Sequence, residues 1–224
     1  MNFFESLLFW DKHLFLAING CNSSFWDGVM FAISAKFTWV PLYIAVLIVI
    51  IKNWKRESIW LIIALVSCIV ISDQISSGLI KELVQRLRPS HALELKNMVH
   101  LVNGYSGGQF GFVSSHAANS FGFALLSATL FRNKKYTSCI FGWALLVSYS
   151  RIYLGVHYPL DVLGGALVGI LGALACYYAI VKLRPSLLTP HNDYSIVEKP
   201  KAILPLLVFG LSIVGIIIYS LFLF

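Results

Sequence analysis

The 224-residue chain is short of charge: Asp, Glu, Lys and Arg make up 12% of it, and only 10 residues are acidic. Soluble domains carry roughly 25% charged and about 45–50% apolar residues. Here 58% of the residues are hydrophobic, and the mean hydropathy is +0.78. So little charge cannot cover a globule of this size, which excludes a soluble monomer as well as disordered and collagen-like chains. The net charge of +7 is therefore no nucleic-acid footprint. With so few carboxylates, a clustered metal site is hard to assemble. Cysteine is sparse too: Cys21, Cys68, Cys139 and Cys176 show no C-x-x-C spacing. Three of them lie inside apolar runs, where a thiol behaves as a small hydrophobe, which argues against a disulfide framework or a zinc site. No basic stretch precedes the first apolar residues, so Met1 to Glu5 does not open a cleaved signal peptide. Internal repeats and low-complexity tracts are missing as well.

What the chain has in quantity is long apolar runs. A membrane span needs about 20 mostly apolar residues. Six stretches approach this: about 26–51, 59–80, 117–131, 136–149, 160–181 and 203–224. The first contains Asp27, Lys36 and Pro41, and the third and fourth are short enough to continue into their flanks. Residues 1–24 differ, mixing Phe3, Phe4, Leu7, Leu8, Trp10 and Leu14 with Glu5, Asp11, Lys12 and His13. This pattern predicts an amphipathic helix at the membrane interface, with Trp10 as an anchor. A short membrane-entering helix is the rival reading. The expected fold is an all-α integral membrane protein of about six spans in one domain, 1–224. Pro185 to Pro200 is its one linker-like stretch.

Loop charge orients these spans. Lys52, Lys55 and Arg56, then Arg132, Lys134 and Lys135, then Lys182, Arg184, Lys199 and Lys201 occupy alternate loops and hold ten of the 17 cations. The positive-inside rule makes that face cytoplasmic. The loop from Arg88 to His116 and the turn from Arg151 to Leu160 then meet on the other face.

Three clusters on that face carry chemistry. Lys81, Arg86 and Arg88, followed by Pro89, stand at the exit of the second run. Basic residues at span ends commonly just snorkel to water, but a cluster at the non-cytoplasmic end points to an anion. Next, Gly108 to His116 is a glycine-bearing loop leading into a helix, whose free N–H groups and dipole favour a phosphate. Ser114 and Ser115 add hydroxyls there and His116 a proton carrier, although a serine before a helix is also an ordinary cap. Finally, Pro159 starts the fifth run with Asp161 in its first turn, and His157 lies four residues before Asp161. The carboxylate can then fix one imidazole nitrogen and leave the other free to attack.

Together, Lys81-x6-Arg88-Pro89, Ser114-Ser115-His116 and Ser150-Arg151-x5-His157-x3-Asp161 resemble the three-part signature of the type 2 phosphatidic acid phosphatase (PAP2) superfamily. The signature covers residues 81–161. Its one departure is Val113-Ser114-Ser115-His116, where the family usually has Pro-Ser-Gly-His, so Ser115 stands at a glycine position. The resemblance implies a PAP2-like helical bundle in which Lys81, Arg88 and Arg151 clamp phosphoryl oxygens. Ser114 and the amides of Ser115 and His116 would complete the cradle. His157 would attack phosphorus with Asp161 orienting it, and His116 would protonate the leaving oxygen. No metal or cofactor is implied. Lipid phosphates such as undecaprenyl diphosphate, phosphatidylglycerophosphate or lipid A are the implied substrates, in a bacterial inner membrane with the site facing the periplasm or exterior. A lipid phosphotransferase and a non-catalytic lipid transporter are the alternatives. Tails would enter laterally between spans, and Tyr105, Phe110 and Phe112 would confer selectivity. Arg86 falls outside the signature and reads as a surface charge, and His91 and His100 read as solvated loop residues. Asp73 reads as an intramembrane carboxylate, either functional or bonded near Ser76 and Ser77.

Overall fold

The computed structural model describes residues 2–187, 202–222 and 224, and within them every regular element is helical. Helix α1, Phe3–Gly20, opens on a capping box between Asn2 and Glu5, and α2, Ser24–Ser34, is capped by Ser23. The apolar run expected at 26–51 is thus interrupted. Ala35 is extended, a single turn Lys36–Trp39 follows, and α3, Val40–Trp54, starts with Pro41 in its first turn. Proline lacks an N–H and is tolerated just there. Helix α4, Ser58–Asp73, passes through a π-helical stretch Gln74–Ile80 into the short α5, Lys81–Val84. The remaining helices are α6, Ser115–Phe131, α7, Lys134–Tyr153, α8, Pro159–Leu183, and α9, Ile203–Phe222. Most of the linker expected at 185–200, and Lys199 and Lys201 beside it, lies outside the described residues.

Among the described residues, Lys36–Val84, Pro159–Leu183 and Ile203–Phe222 are long and apolar enough to cross a membrane. Their exposed faces are greasy: Ile59, Ile63, Val66 and Val70 on α4, Leu163, Leu167 and Leu171 on α8, and Leu207, Leu211 and Val214 on α9. Helix α6 is different, because most of its residues are buried and they are chiefly Ala, Ser and Gly. A helix wrapped by other helices needs no apolar face, and small residues let backbones approach. Gly165 and Gly169 of α8 lie directly against the carbonyls of Ser114 and Ala118 on α6, with no room for a side chain. This contact locks the start of α6 to the start of α8. Both starts belong to one end of the bundle, together with the ends of α5 and α7.

Candidate active site

The three clusters found along the chain converge at that end. Lys81, Arg88, Ser115, His116, Arg151 and His157 line one cavity of about 640 Å³. Arg88 is held by the loop opposite. Its backbone N–H donates to the Gln109 carbonyl (3.1 Å), its Nε donates to the Phe110 carbonyl (3.0 Å), and Gly111 N–H donates to the Arg86 carbonyl (2.8 Å). Gly107, at φ +69°, allows the close approach, since a Cβ there would stand 2.7 Å from Arg88 Nη1. Burial, and then the charge of Arg151, push Arg88 below the ordinary guanidinium value. Cations crowded in this way are stabilised by a bound anion.

Arg151, only 2% exposed, bonds Ser34 through one terminal nitrogen and the Tyr105 hydroxyl through the other (2.9 Å). Its Nε has no partner among the described residues and remains a donor to spare. Burial opposes ionisation of Tyr105, but the charge and hydrogen bond of Arg151 outweigh it and lower the phenol.

Lys81 Nζ donates to Ser115 Oγ at 2.6 Å, and Ser77 Oγ is 2.7 Å from the same oxygen. The hydroxyl standing at the usual glycine position thus fastens a cation of the proposed cradle. Ser114, in contrast, does not line the cavity. Its Oγ caps α6 by accepting from Ala117 N–H (3.5 Å), and its N–H donates to the Asp161 carbonyl (2.8 Å).

His157 is 1% exposed, with Nδ1 3.3 Å from Asp161 Oδ2. With the proton on Nδ1, Nε2 carries a free lone pair. Burial, followed by Arg88, Arg151 and Lys81, holds this histidine well below its ordinary value of 6.5. It is therefore neutral and nucleophilic at neutral pH. Asp161 lies behind it, fully buried, and accepts from Tyr158 N–H (3.0 Å) and from Arg86 Nη1 (2.9 Å).

Reading Arg86 as a surface charge is therefore corrected. Its other nitrogen donates to Asp11 Oδ2 of α1 (2.6 Å), and its guanidinium stacks 4.0 Å over the Tyr158 ring. Asp11 Oδ1 in turn accepts from Leu160 N–H at the start of α8 (2.8 Å). Nearness to Arg88 was the only sequence signal for Arg86, and Asp11 gave none. His100 is corrected likewise: its Nε2 is 2.9 Å from Asp27 of α2, which also accepts from the Tyr153 hydroxyl (2.7 Å). Of the three loop aromatics, Tyr105 lines the cavity, while Phe112 packs toward Gly164 of α8. Asp73 accepts from Asn119 Nδ2 of α6 (3.2 Å), whereas Ser76 Oγ donates to the Ser72 carbonyl and meets Asp73 at its backbone carbonyl, not at its carboxylate.

A family model described as the PAP2 superfamily matches residues 59–185. The chain is 39% identical over 217 residues to a lipid A 4'-phosphatase of Bacteroides thetaiotaomicron, covering 94% of this chain and 95% of that one. It is 40% identical over 168 residues to a lipid A 4'-phosphatase of Porphyromonas gingivalis, covering 75% and 71%. The crystal structure of Aquifex aeolicus LpxE superposes with a TM-score of 0.60 at 25% identity, covering 75% of this chain and 94% of that one.

Proposed function

Because the chain belongs to the PAP2 superfamily, we propose that it is a membrane lipid phosphatase working through a phosphohistidine. Lys81, Arg88 and Arg151 bind the phosphoryl oxygens with the Ser115 and His116 amides at the mouth of α6. Ser114, expected in the cradle, instead caps that helix from behind the cavity. His157 Nε2 attacks phosphorus in line. Burial and the charge of Arg151 hold His116 well below its ordinary value in the empty cavity. The phosphate dianion offsets those cations, and with its binding His116 takes up the proton that it then carries. As the P–N bond forms and the P–O bond to the lipid breaks, the departing oxygen takes that proton. Water then attacks the same phosphorus and gives a proton to His116. The P–N electron pair returns to the imidazole and inorganic phosphate leaves. Charge stabilisation and positioning are what phosphoryl transfer chiefly asks of a protein.

The observation that carries this reading is the buried His157–Asp161 pair facing three cations across one cavity. The substrate is a lipid A-type phosphate, as named for both relatives. The basic loops at the far end of the helices support a site on the periplasmic or outer face of the bacterial cytoplasmic membrane.

The test is a panel of lipid phosphates in detergent, comprising lipid A, undecaprenyl diphosphate and phosphatidylglycerophosphate, assayed for inorganic phosphate with wild type and His157→Ala. The wild type is expected to release phosphate fastest from lipid A. The variant should lose at least ~10³-fold in kcat, as nucleophile removal does elsewhere. Undiminished turnover in the variant overturns the mechanism. Transfer of the phosphoryl group to a lipid hydroxyl without phosphate release makes the protein a phosphotransferase, and lipid movement without turnover makes it a transporter.

A further inference from the structure

The cavity is larger than a phosphate requires, and its inner half contains groups that the mechanism leaves unused. Pockets of about 300–1,000 Å³ take whole organic ligands, and this one, near 640 Å³, runs inward past the cradle. Its floor is formed by Tyr43 of α3, Asp73 and Gln74, Asn119 of α6 and Trp143 of α7. Trp143 is eight residues before Arg151 on α7, and Asp73 eight before Lys81. At 1.5 Å per residue Trp143 lies about 12 Å along its helix from Arg151, while Asn119, one turn after Ser115 and His116 on α6, lies about 5–6 Å from the cradle. The floor thus begins next to the reacting phosphoryl group and runs inward from it.

This floor is polar in the middle of an apolar bundle. Asp73 accepts from Asn119 Nδ2 (3.2 Å), while Asn119 Oδ1 has no partner among the described residues. The Trp143 indole N–H has none either, although the residue is 1% exposed. Acceptor and donor stand idle beside an intramembrane carboxylate, on aromatic rings stacked edge to face: Trp143 lies 5.9 Å from Tyr43. Buried polar groups are ordinarily paired, and an ionisable residue inside a membrane is functional by default. An isoprenoid or acyl chain has nothing to offer an amide carbonyl, an indole N–H and a carboxylate, and would leave them desolvated and unpaired. A sugar does. Its hydroxyls and amide donate and accept at neighbouring positions, and its ring has an apolar face for the aromatics. The lining also includes the apolar Ile69 and Val70 of α4, and Val70 and Gln74 are exposed, so this margin is where acyl tails would lie.

We infer that the inner cavity is a sugar subsite. It takes the hydroxyl- and amide-bearing ring attached to the reacting phosphate, and Asn119, Asp73, Gln74 and Trp143 are its specificity-determining contacts. The inference rests on the lipid-phosphatase reading and adds to it the residues that would tell a phosphorylated sugar from a phosphorylated glycerol or isoprenoid.

The experiment measures kcat/KM for two probes in the same detergent, an acylated glucosamine phosphate and a diacylglycerol phosphate, with wild type, Asn119→Leu and Gln74→Leu. The wild type is expected to favour the sugar probe at least tenfold. Asn119→Leu should reduce that ratio by tenfold or more, and Gln74→Leu, on the exposed margin, by severalfold. Taking a ratio on one preparation removes differences in the amount of folded enzyme. If Asn119→Leu does not fold, Gln74→Leu and the wild-type preference decide. A wild type without sugar preference, or variants whose ratio stays within twofold of it, overturn the subsite and leave a merely hydrated cavity. No phosphate release from either probe by wild type would overturn the lipid-phosphatase reading itself, and this inference with it.

Discussion

At the scale of single residues, Arg86 is the side chain whose role changes most. It joins Asp161, the carboxylate behind the nucleophile, to Asp11 on another helix, and it does not line the cavity. It is thus a positioning residue. Removing one member of a buried charge pair costs about 3–5 kcal/mol, so lost stability alone would not identify its part in the reaction. The pH profile would. His157 is held well below 6.5, and a base with a lowered value stays unprotonated to lower pH. The wild-type acidic limb of kcat/KM due to His157 should accordingly lie well under pH 6.5. Without the Arg86 charge, the Asp161 carboxylate is uncompensated and stabilises the imidazolium. In Arg86→Gln the acidic limb should therefore move up toward the ordinary histidine value, with kcat reduced about tenfold or more and KM nearly constant. Arg86→Lys should restore part of both. An unshifted limb in Arg86→Gln would reduce the residue to a structural tie.

At the scale of elements, two helices show how polarity is redistributed in this protein. Helix α1 buries Asp11, Phe15 and Asn19, a stripe spaced by four, while Phe3, Phe4, Trp10 and Leu14 face outward. Two of its polar residues, Asp11 and Asn19, therefore look into the protein while Glu5 and His13 stay exposed, and Asn19 ties down the Tyr153 and His100 carbonyls (2.7 and 2.9 Å). An amphipathic pattern read as polar-out gives the correct helix and the reverse facing for Asp11. The contact between α6 and α8 is the second case. Gly165 and Gly169 stand four residues apart on one face of α8 and abut the Ser114 and Ala118 carbonyls directly. Overpacking costs typically about 1–3 kcal/mol and occasionally more. Gly169→Leu should accordingly lower the detergent melting temperature and separate Ser114–His116 from His157–Asp161, abolishing phosphate release. Gly210→Leu on α9, with nothing within 4 Å of the added carbon, should melt like wild type. Equal melting temperatures for the two variants would show the α6–α8 contact to be dispensable.

At the scale of the whole molecule, the few charges are placed with economy. Basic loops gather at one end of the helices, and Lys81, Arg88 and Arg151 gather at the other around a single cavity. Three fixed cations can supply the positive charge for which many phosphoryl-transfer enzymes recruit ions. Phosphate release should therefore be fully retained in excess EDTA, and an absolute Mg²⁺ requirement would contradict this account of the cradle.

The sequence by itself determined the solvent, the helical class and the residues of the three motifs. Hydropathy follows from composition, and motif spacing from local geometry such as the four-residue step from His157 to Asp161. The break at Ala35–Trp39 and the grip of Ser115 on Lys81 were beyond its reach, and it offered Ser114 both as a cap and as a phosphate ligand without choosing between them. So was the Asp11–Arg86–Asp161 chain, whose members lie 75 residues apart at each link. Ion pairs of that separation, and a polar floor assembled from α3, α4, α6 and α7, depend on which helix faces meet. That is decided by packing the small residues of α6 and α8 together, because in a membrane chain polarity does not say which side of a helix looks inward.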